Sequence, residues 1–461
     1  MGASLVGVLF AFKRIDGHVT LLFLLISEEV FQPFPAKSKF LAINPMKIVK
    51  LLAAIACLLP IASTFAKDQW SQFRGPGGNG HSRSTALPLE WDDRSIVWKT
   101  PIHDRGWSSP VIWNDQVWMT TATKEGHKLF AVCVDRKTGK VVHDLLIFEV
   151  ESPMAITPDN TYATPTPVIE EGRVYVHYGT YGTACLDTQS GDILWSRRDL
   201  NCDHEFGAGP ASSPVLVGDI LVFHVDGRDV QYIIALQAAT GKNAWKTQRS
   251  ANFDKVPAHQ RKAYGMPALV PRGDKQQMIS VGAKGLYSYD PSNGEELWKV
   301  HHRGWSIFPR PVYGNGLVFA TIDRDRPELW AIRPDGSGDV SDTHVVWKKK
   351  RRMPQRASPL LVGKLLFVMD RNGYLSCLEA SSGEEIWQQR LKGRFSASPV
   401  YANDRIYFFN EEGACTVIRS ASEFKILATN ILEDGEQLMA SPAMDNDAFY
   451  IRTAKHLYRI E

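Results

Sequence analysis

Polar loop stretches of this 461-residue chain carry side chains able to do chemistry: Asp159-Asn160-Thr161-Tyr162, Tyr178-Gly179-Thr180-Tyr181, Cys202-Asp203-His204-Glu205, His224-Val225-Asp226-Gly227-Arg228-Asp229, Arg261-Lys262-Ala263-Tyr264, Arg303-Gly304-Trp305 with the nearby Arg310, and Asp323-Arg324-Asp325-Arg326. The working groups are taken from four of them, those around His204, Asp226, Trp305 and Asp323. Arginine forks onto carboxylate, phosphate or vicinal hydroxyl oxygens, and Trp305 or Tyr181 offers a flat stacking surface. The candidate binding residues are therefore His204, Glu205, Asp226, Arg228, Asp229, Trp305, Arg310, Asp323, Arg324 and Arg326. Their chemistry suits an anionic or hydroxyl-rich ligand, or a partner loop of that kind. Because Arg and Asp alternate in several stretches, the alternative is that they pair with one another and buttress the scaffold. Asp203, Glu205, Asp226 and Asp229 can supply oxygens to a cation, but no spacing selects them. His204 and His224 lack a Cys/His cluster at ligand spacing, so no metal site and no catalytic residue is assigned. The run GPGGNG at residues 75–80 resembles a phosphate loop but lacks the following Lys-Ser/Thr and a helix, and reads as a turn-rich arm.

The elements that must position these loops follow from an internal repeat. A proline preceded by a small or polar residue opens a β-rich stretch at Pro110, Pro167, Pro214, Pro267, Pro311, Pro359, Pro399 and Pro442. The spacing, about 47 residues on average, is that of a four-stranded propeller blade. Residues 165–198 show the unit: two β-branched runs flank a Glu-Gly turn, a third ends in Leu186-Asp187, and Ser190-Gly191 leads to a fourth carrying Trp195. Alternating apolar residues and tight turns read as an antiparallel meander. The third run repeats a small residue at Cys133, Cys185, Ala235, Ser288, Ala331 and Cys377, a position where neighbouring blades approach closely. The fourth repeats Trp195, Trp245, Trp298, Trp347 and Trp387, which read as packing between blades, with His143 and Leu427 as deviants. The last repeat stops at Glu461 after its third run, and Ile96-Val97-Trp98-Lys99 matches Ile193-Leu194-Trp195-Ser196. The expected fold is thus an all-β, eight-bladed propeller over residues 91–461, closed by an N-terminal strand because an open edge would expose unpaired backbone groups. Strand order places the polar loops on one face and minimal hairpin turns, such as Asn315-Gly316 and Gly363-Lys364, on the other. Long loops on a rigid scaffold are where binding resides.

Composition and leader bound the rest. With 44% hydrophobic and 22% charged residues the chain is globular. From Met46 the order Lys47, Lys50, an apolar stretch from Leu51 to Ala62, and Thr64-Phe65-Ala66 reads as a secretory signal peptide over residues 46–66, followed by an arm over 67–90. Residues 1–45 then read as an extended or mis-assigned start, the alternative being that Val19 to Ile26 belongs to a longer export signal. The apolar stretch is short of the roughly 20 residues a membrane span needs. Removing the six cations and three anions of residues 1–66 from 53 and 50 leaves 47 of each. Such neutrality argues against a nucleic-acid surface. A periplasmic or secreted monomer is expected.

The recurrent Leu-x-small-Leu/Val-Asp/Glu, followed by Thr/Ser-Gly-x-x-x-Trp, resembles the pyrroloquinoline-quinone-like (PQQ-like) β-propeller repeat family over about residues 91–461. WSQFRGPGGNG, GWSSP, YGTYGTACLD, DGRDVQY and RPELWAIRPDGSGDV are similar to a secreted bacterial branch of it. The family includes quinoprotein alcohol dehydrogenases and the BamB scaffold of outer-membrane assembly, which holds no quinone. The resemblance therefore implies either a non-catalytic binding or scaffolding propeller or a quinone- or metal-dependent oxidoreductase. The latter would need PQQ with calcium and an Asp base. The adjacent-cysteine disulfide of alcohol-oxidising quinoproteins is absent, since no two cysteines are neighbours, so the non-catalytic reading is favoured and no cofactor is assigned. Sequencing the mature N-terminus of the exported protein is expected to start at Lys67; a mature end upstream of Met46 would refute this leader.

Overall fold

The computed structural model describes residues 69–204, 209–432 and 435–461 in full, and the backbone of two strands, Leu9–Ile15 and His18–Leu24, which form an antiparallel hairpin. The leader at 46–66 lies outside the described residues. From the arm onward the chain forms eight antiparallel sheets in sequence order. The first blade is Val111–Trp113, Gln116–Ala122, Lys128–Asp135 and Val141–Glu149, and the next six repeat this order from the channel outward. In the eighth, Ala443–Met444, Phe449–Arg452 and His456–Ile460 are completed by Ile96–Pro101, with Ile96 opposite Ile460 and Pro101 opposite His456. The ring closes as the sequence requires. The fourth blade gains a fifth, parallel strand at its outer edge, Gly338–Asp339. It comes from the long excursion of the fifth blade, pinned by the Val340 amide on Lys299 O (2.9 Å) and by Asp339 on His301 (3.0 Å).

One joint repeats around the ring. The small residue of each third strand stands opposite the aromatic of the fourth, as in Cys185 and Trp195, Ala235 and Trp245, or Cys377 and Trp387, and a bulge follows each pair. All six small residues are fully buried. Each indole then reaches the next blade. Trp98, Trp195, Trp245, Trp298, Trp347 and Trp387 donate Nε1–H to Arg136, Ala238, Pro291, Pro334, Ala380 and Ala421 carbonyls at 2.8 to 3.4 Å. Beneath the rings of Trp98, Trp195, Trp245 and Trp347 lie Gly139, Gly241, Gly294 and Gly383, the turn glycines of the following blade. These have φ of 68–76°, and a Cβ on any of them would come within 2.8 Å of the indole. Glycine is thus required twice over, by backbone conformation and by the ring above it. The five described cysteines are unpaired and buried.

A second belt runs around the channel. The residue before each blade-opening proline is held extended, and its amide donates to the hydroxyl of its counterpart in the next blade. Arg310 N–H bonds Ser358 Oγ, and the series continues through Ser398, Ser441, Ser109 and Thr166 to Ser213, with six bonds of 2.8 to 3.1 Å. It breaks where Met266 offers no hydroxyl and Arg310 turns its side chain into the channel. There the Tyr264 amide bonds Ile307 O and the Ser306 amide bonds Lys262 O instead.

The channel is filled from the hairpin-turn side by the arm. Trp70 O and Ser71 O accept the Ile112 and Ile169 amides, Phe73 O accepts from Arg310, and Gly80 and Ser82 pair with Tyr401. Trp70 and Arg74 are buried. The arm then leaves beside the seventh blade, where Asn430 holds Leu89 O and the Trp91 amide. Deleting residues 94–100 is expected to give aggregated or protease-labile protein, read by gel filtration and limited proteolysis; a monomeric, equally resistant product would mean that closure does not depend on this strand.

Candidate functional site

Above the arm the channel opens on the loop-rich side into a cavity of about 570 Å³. Its wall is the hydroxyl belt, with Ser109, Thr166, Ser213, Ser398 and Ser441 facing inward, and its floor includes Phe73 of the arm. Tyr264 and Phe308, stacked 5.1 Å apart, supply an aromatic side. Three guanidiniums converge on it, from Arg324, Arg356 and Arg371.

The loop joining the first two blades, residues 150–167, spans the mouth. Asp159 ion-pairs with Arg356, and its Oδ2 lies 3.3 Å from Arg371 Nη2. Both arginines belong to the sixth blade's loops, half a turn around an eight-bladed ring, so this loop is a strap across the opening. Trp107 Nε1–H holds Asp159 O (3.2 Å), Arg105 holds Pro158 O (3.3 Å), and Asn160 reaches Pro210 O (3.3 Å). Burial alone would raise the Asp159 carboxyl, but the Arg356 hydrogen bond and the charges of Arg356 and Arg371 keep it below the ordinary carboxylate range. Arg371 also faces Glu411 at 3.5 Å, and Arg394 faces Glu411 at 3.6 Å.

Of the nine described residues named from sequence, Arg324 lines this cavity, its guanidinium 4.8 Å over the Trp305 ring and its Nε 3.0 Å from Asp325. Asp323, at φ 74°, accepts the Asp325 amide. Arg326 faces a separate groove of about 290 Å³ with Arg303, Glu328, Lys348 and Lys350. Asp226 is buried in a two-point pair with Arg249 (2.8 and 3.2 Å), within its own blade. Arg228 meets Asp203 at 2.6 Å, and Asp229 accepts the Asp203 amide. Arg310 is buried at the channel floor. Glu205 lies outside the described residues. His204 is buried 3.3 Å from Cys202 Sγ, and burial, reinforced by Lys262, pushes it down to about 4. Neighbouring His177 is pushed down to about 3, first by burial, so both imidazoles are neutral at pH 7. The blade-three charges thus pair among themselves, whereas the open cavity draws on the sixth blade. Arg356 and Arg371 sit in short loops, MPQRASP and DRNGY, with no signal marking them from turns; only the ring geometry aims them inward.

Among the described residues, the carboxylates that line this mouth are ion-paired, which leaves none open to the calcium ion a bound quinone would need. The carboxylate aimed into it, Asp159, is held by two guanidiniums and Asp325 by a third, and the arm occupies the channel below. Among the described residues no three His, Cys, Asp or Glu side chains gather to hold a metal ion. The arrangement suits carboxylates or hydroxyls brought by a ligand instead.

Eight four-stranded blades with tryptophan joints define a propeller of the PQQ-like repeat class. The chain belongs to the family described as Outer membrane protein assembly factor BamB, whose profile matches residues 82–283 and 338–438. It is 27% identical over 212 residues to the Outer membrane protein assembly factor BamB of Legionella pneumophila (strain Paris), covering 44% of this chain and 49% of that one. Its likeness to the protein of the same name from Alkalilimnicola ehrlichii is 25% over 215 residues, covering 45% and 51%. The chain thus spans about half the length of the curated relatives it matches. Among solved structures it is similar to BamB from Moraxella catarrhalis (TM-score 0.52, 11% identity, 79% of this chain and 99% of that one). It is also similar to a europium-containing methanol dehydrogenase (TM-score 0.64, 10% identity, 84% and 90%). At such identities the structural likeness carries the fold alone.

Asp159→Ala is expected to leave global stability nearly unchanged while cleavage within residues 151–160 by a nonspecific protease rises several-fold. Because the folded pKa of Asp159 is depressed, the latch is complete above the unfolded carboxyl pKa of about 3.9 and is lost only as pH falls through the lower folded value. Cleavage of the native protein should therefore stay low from pH 7 to 5.

Proposed function

We propose that this chain is an exported, non-catalytic scaffold of outer-membrane protein assembly that grips an acidic or hydroxyl-rich segment of a protein partner at its strapped mouth. The observation that carries the reading is the convergence of Arg324, Arg356 and Arg371 on a cavity ringed by serine and threonine hydroxyls. Guanidiniums bind carboxylates at two points, the hydroxyl belt accepts or donates as required, and the Tyr264-Phe308 stack buries an apolar flank. Family membership supports the assembly role, and the ion pairing of Asp159 and Asp325, which leaves neither carboxylate open to a calcium ion, favours it over the oxidoreductase alternative. No helix among the described residues is long and apolar enough to cross a membrane. The rim residues Arg228, Trp305 and Arg326 extend the same face.

The test is made in the cell of origin. Deleting the gene should lower the amount of β-barrel protein in the outer membrane, and the wild-type chain or the opposite-face variant Lys364→Ala should restore it. The Arg324→Ala, Arg356→Ala, Arg371→Ala triple variant should fold with an unfolding midpoint within a few degrees of the parent and fail to restore it. Full restoration by the triple variant would refute the mouth as the working face. If purified protein mixed with PQQ and calcium retains quinone absorbance after gel filtration and oxidises an alcohol, the oxidoreductase reading replaces this one.

A further inference from the structure

At the channel floor, away from the mouth, two arginines are buried with almost nothing to balance them. Arg74 of the arm is fully buried; its Nη2 makes one long contact, 3.5 Å to Pro399 O, and its Nε and Nη1 have no partner. Arg310 of the fifth blade is 3% exposed, and its guanidinium gives one bond, from Nη1 to Phe73 O at 3.2 Å. Both pack on the same glycine turn. A Cβ on Gly78 would collide with the Arg310 guanidinium, and one on Gly80 would lie 2.9 Å from Arg74 Nη2. Among the described residues no carboxylate pairs with either; burial disfavours the charge of both, and Arg310 further disfavours that of Arg74.

The rest of the molecule shows how this protein ordinarily treats a buried guanidinium. Arg249 has Asp226 at two points and Ser280 besides. The half-buried Arg136 has Asp445 at 3.2 Å. Arg452, which lacks a carboxylate, places Nη1 against Ser108 O, Ser108 Oγ and Thr120 O at 2.6 to 3.3 Å. Arg74 and Arg310 have one backbone carbonyl each and, among the described residues, no carboxylate or hydroxyl at the guanidinium, and an arginine side chain does not shed its proton in a protein. Taking an unpaired charge out of water is strongly unfavourable, and two like charges on one turn compound the effect. An ion of opposite sign removes both penalties together.

We propose that the channel floor binds one small inorganic anion of the halide class between Arg74 and Arg310. The ion joins the arm to the fifth blade where the hydroxyl belt is broken, and so pins the plug in place. The Gly75 to Gly80 turn takes part as packing, its missing side chains leaving room for the two guanidiniums. Phe73, which lines the mouth cavity and whose carbonyl holds Arg310, lies between this floor and the mouth, so the site is separate from the proposed partner grip.

The full mature chain is heated at fixed ionic strength in sodium bromide, sodium chloride or sodium gluconate, whose anion is too bulky to enter. Halide is expected to raise the unfolding midpoint saturably by roughly 3 °C relative to gluconate. Arg74→Met and Arg310→Met should each abolish the difference. Crystals of the unaltered protein grown in bromide should show an anomalous peak between the two guanidiniums. This measurement stands even if a variant fails to fold. Equal midpoints in halide and gluconate, or a bromide-grown crystal without that peak, would overturn the proposal.

Discussion

Everything in this molecule rests on the seating of a tryptophan on a glycine. The indole of one blade covers the turn glycine of the next and donates to a carbonyl beside it, so each joint combines a large buried aromatic area with one directional bond. Truncating such a residue to alanine typically costs about 3–5 kcal/mol. The joint also explains the spacing Thr/Ser-Gly-x-x-x-Trp, whose two ends work in opposite directions: the glycine receives the preceding blade while the tryptophan engages the following one. Where the aromatic is replaced by His143, its neighbour Leu145 shares the contact with Gly191. The joint survives with a different filling.

The hydroxyl belt has a separate task. It fixes the inner ends of the blades, and five of the six hydroxyls it uses face the cavity, so the same side chains tie the ring and line the site. The interruption at Met266 and Arg310 has a structural counterpart, for backbone bonds between the fourth and fifth blades take over. That exchange frees one long cationic side chain to enter the channel and meet the arm. A rigid frame with one exceptional sector gives the channel a floor, and the strap gives it a bridge.

The repeat was legible because each blade writes its strand order, small residue and aromatic into local sequence, and the match of Ile96-Val97-Trp98-Lys99 to later outer strands identified the closing strand. The site was legible only in part. Loops rich in Arg and Asp stood out, yet Asp226 spends its charge on Arg249 and Arg228 on Asp203, since residues close in sequence within one blade are also close in space. The cavity is built by residues far apart in sequence: Asp159 meets Arg356 because an eight-fold ring places their loops opposite one another, and no local pattern encodes that. The fifth strand at Gly338–Asp339 was missed for a related reason, as it pairs with a strand of the preceding repeat. Arg74 falls in the arm at 67–90 with no pattern to mark it, and nothing short of the filled channel shows that it is buried.

The pairing of Ile96 with Ile460 also sets a timetable. At synthesis rates of about 5–20 residues per second, the closing strand exists for roughly 20–70 s before its partner does. During that interval its apolar face and the outer edge of the first blade's glycine turn both lack their neighbours, and no shorter segment of the ring can satisfy them. Joining ends so distant adds little to the equilibrium cost, since loop entropy grows only logarithmically with length, but it makes completion late and cooperative. The propeller therefore has no closed intermediate with seven blades: the strand at 96–101 waits unpaired until residues 456–460 emerge, and those last residues complete the ring.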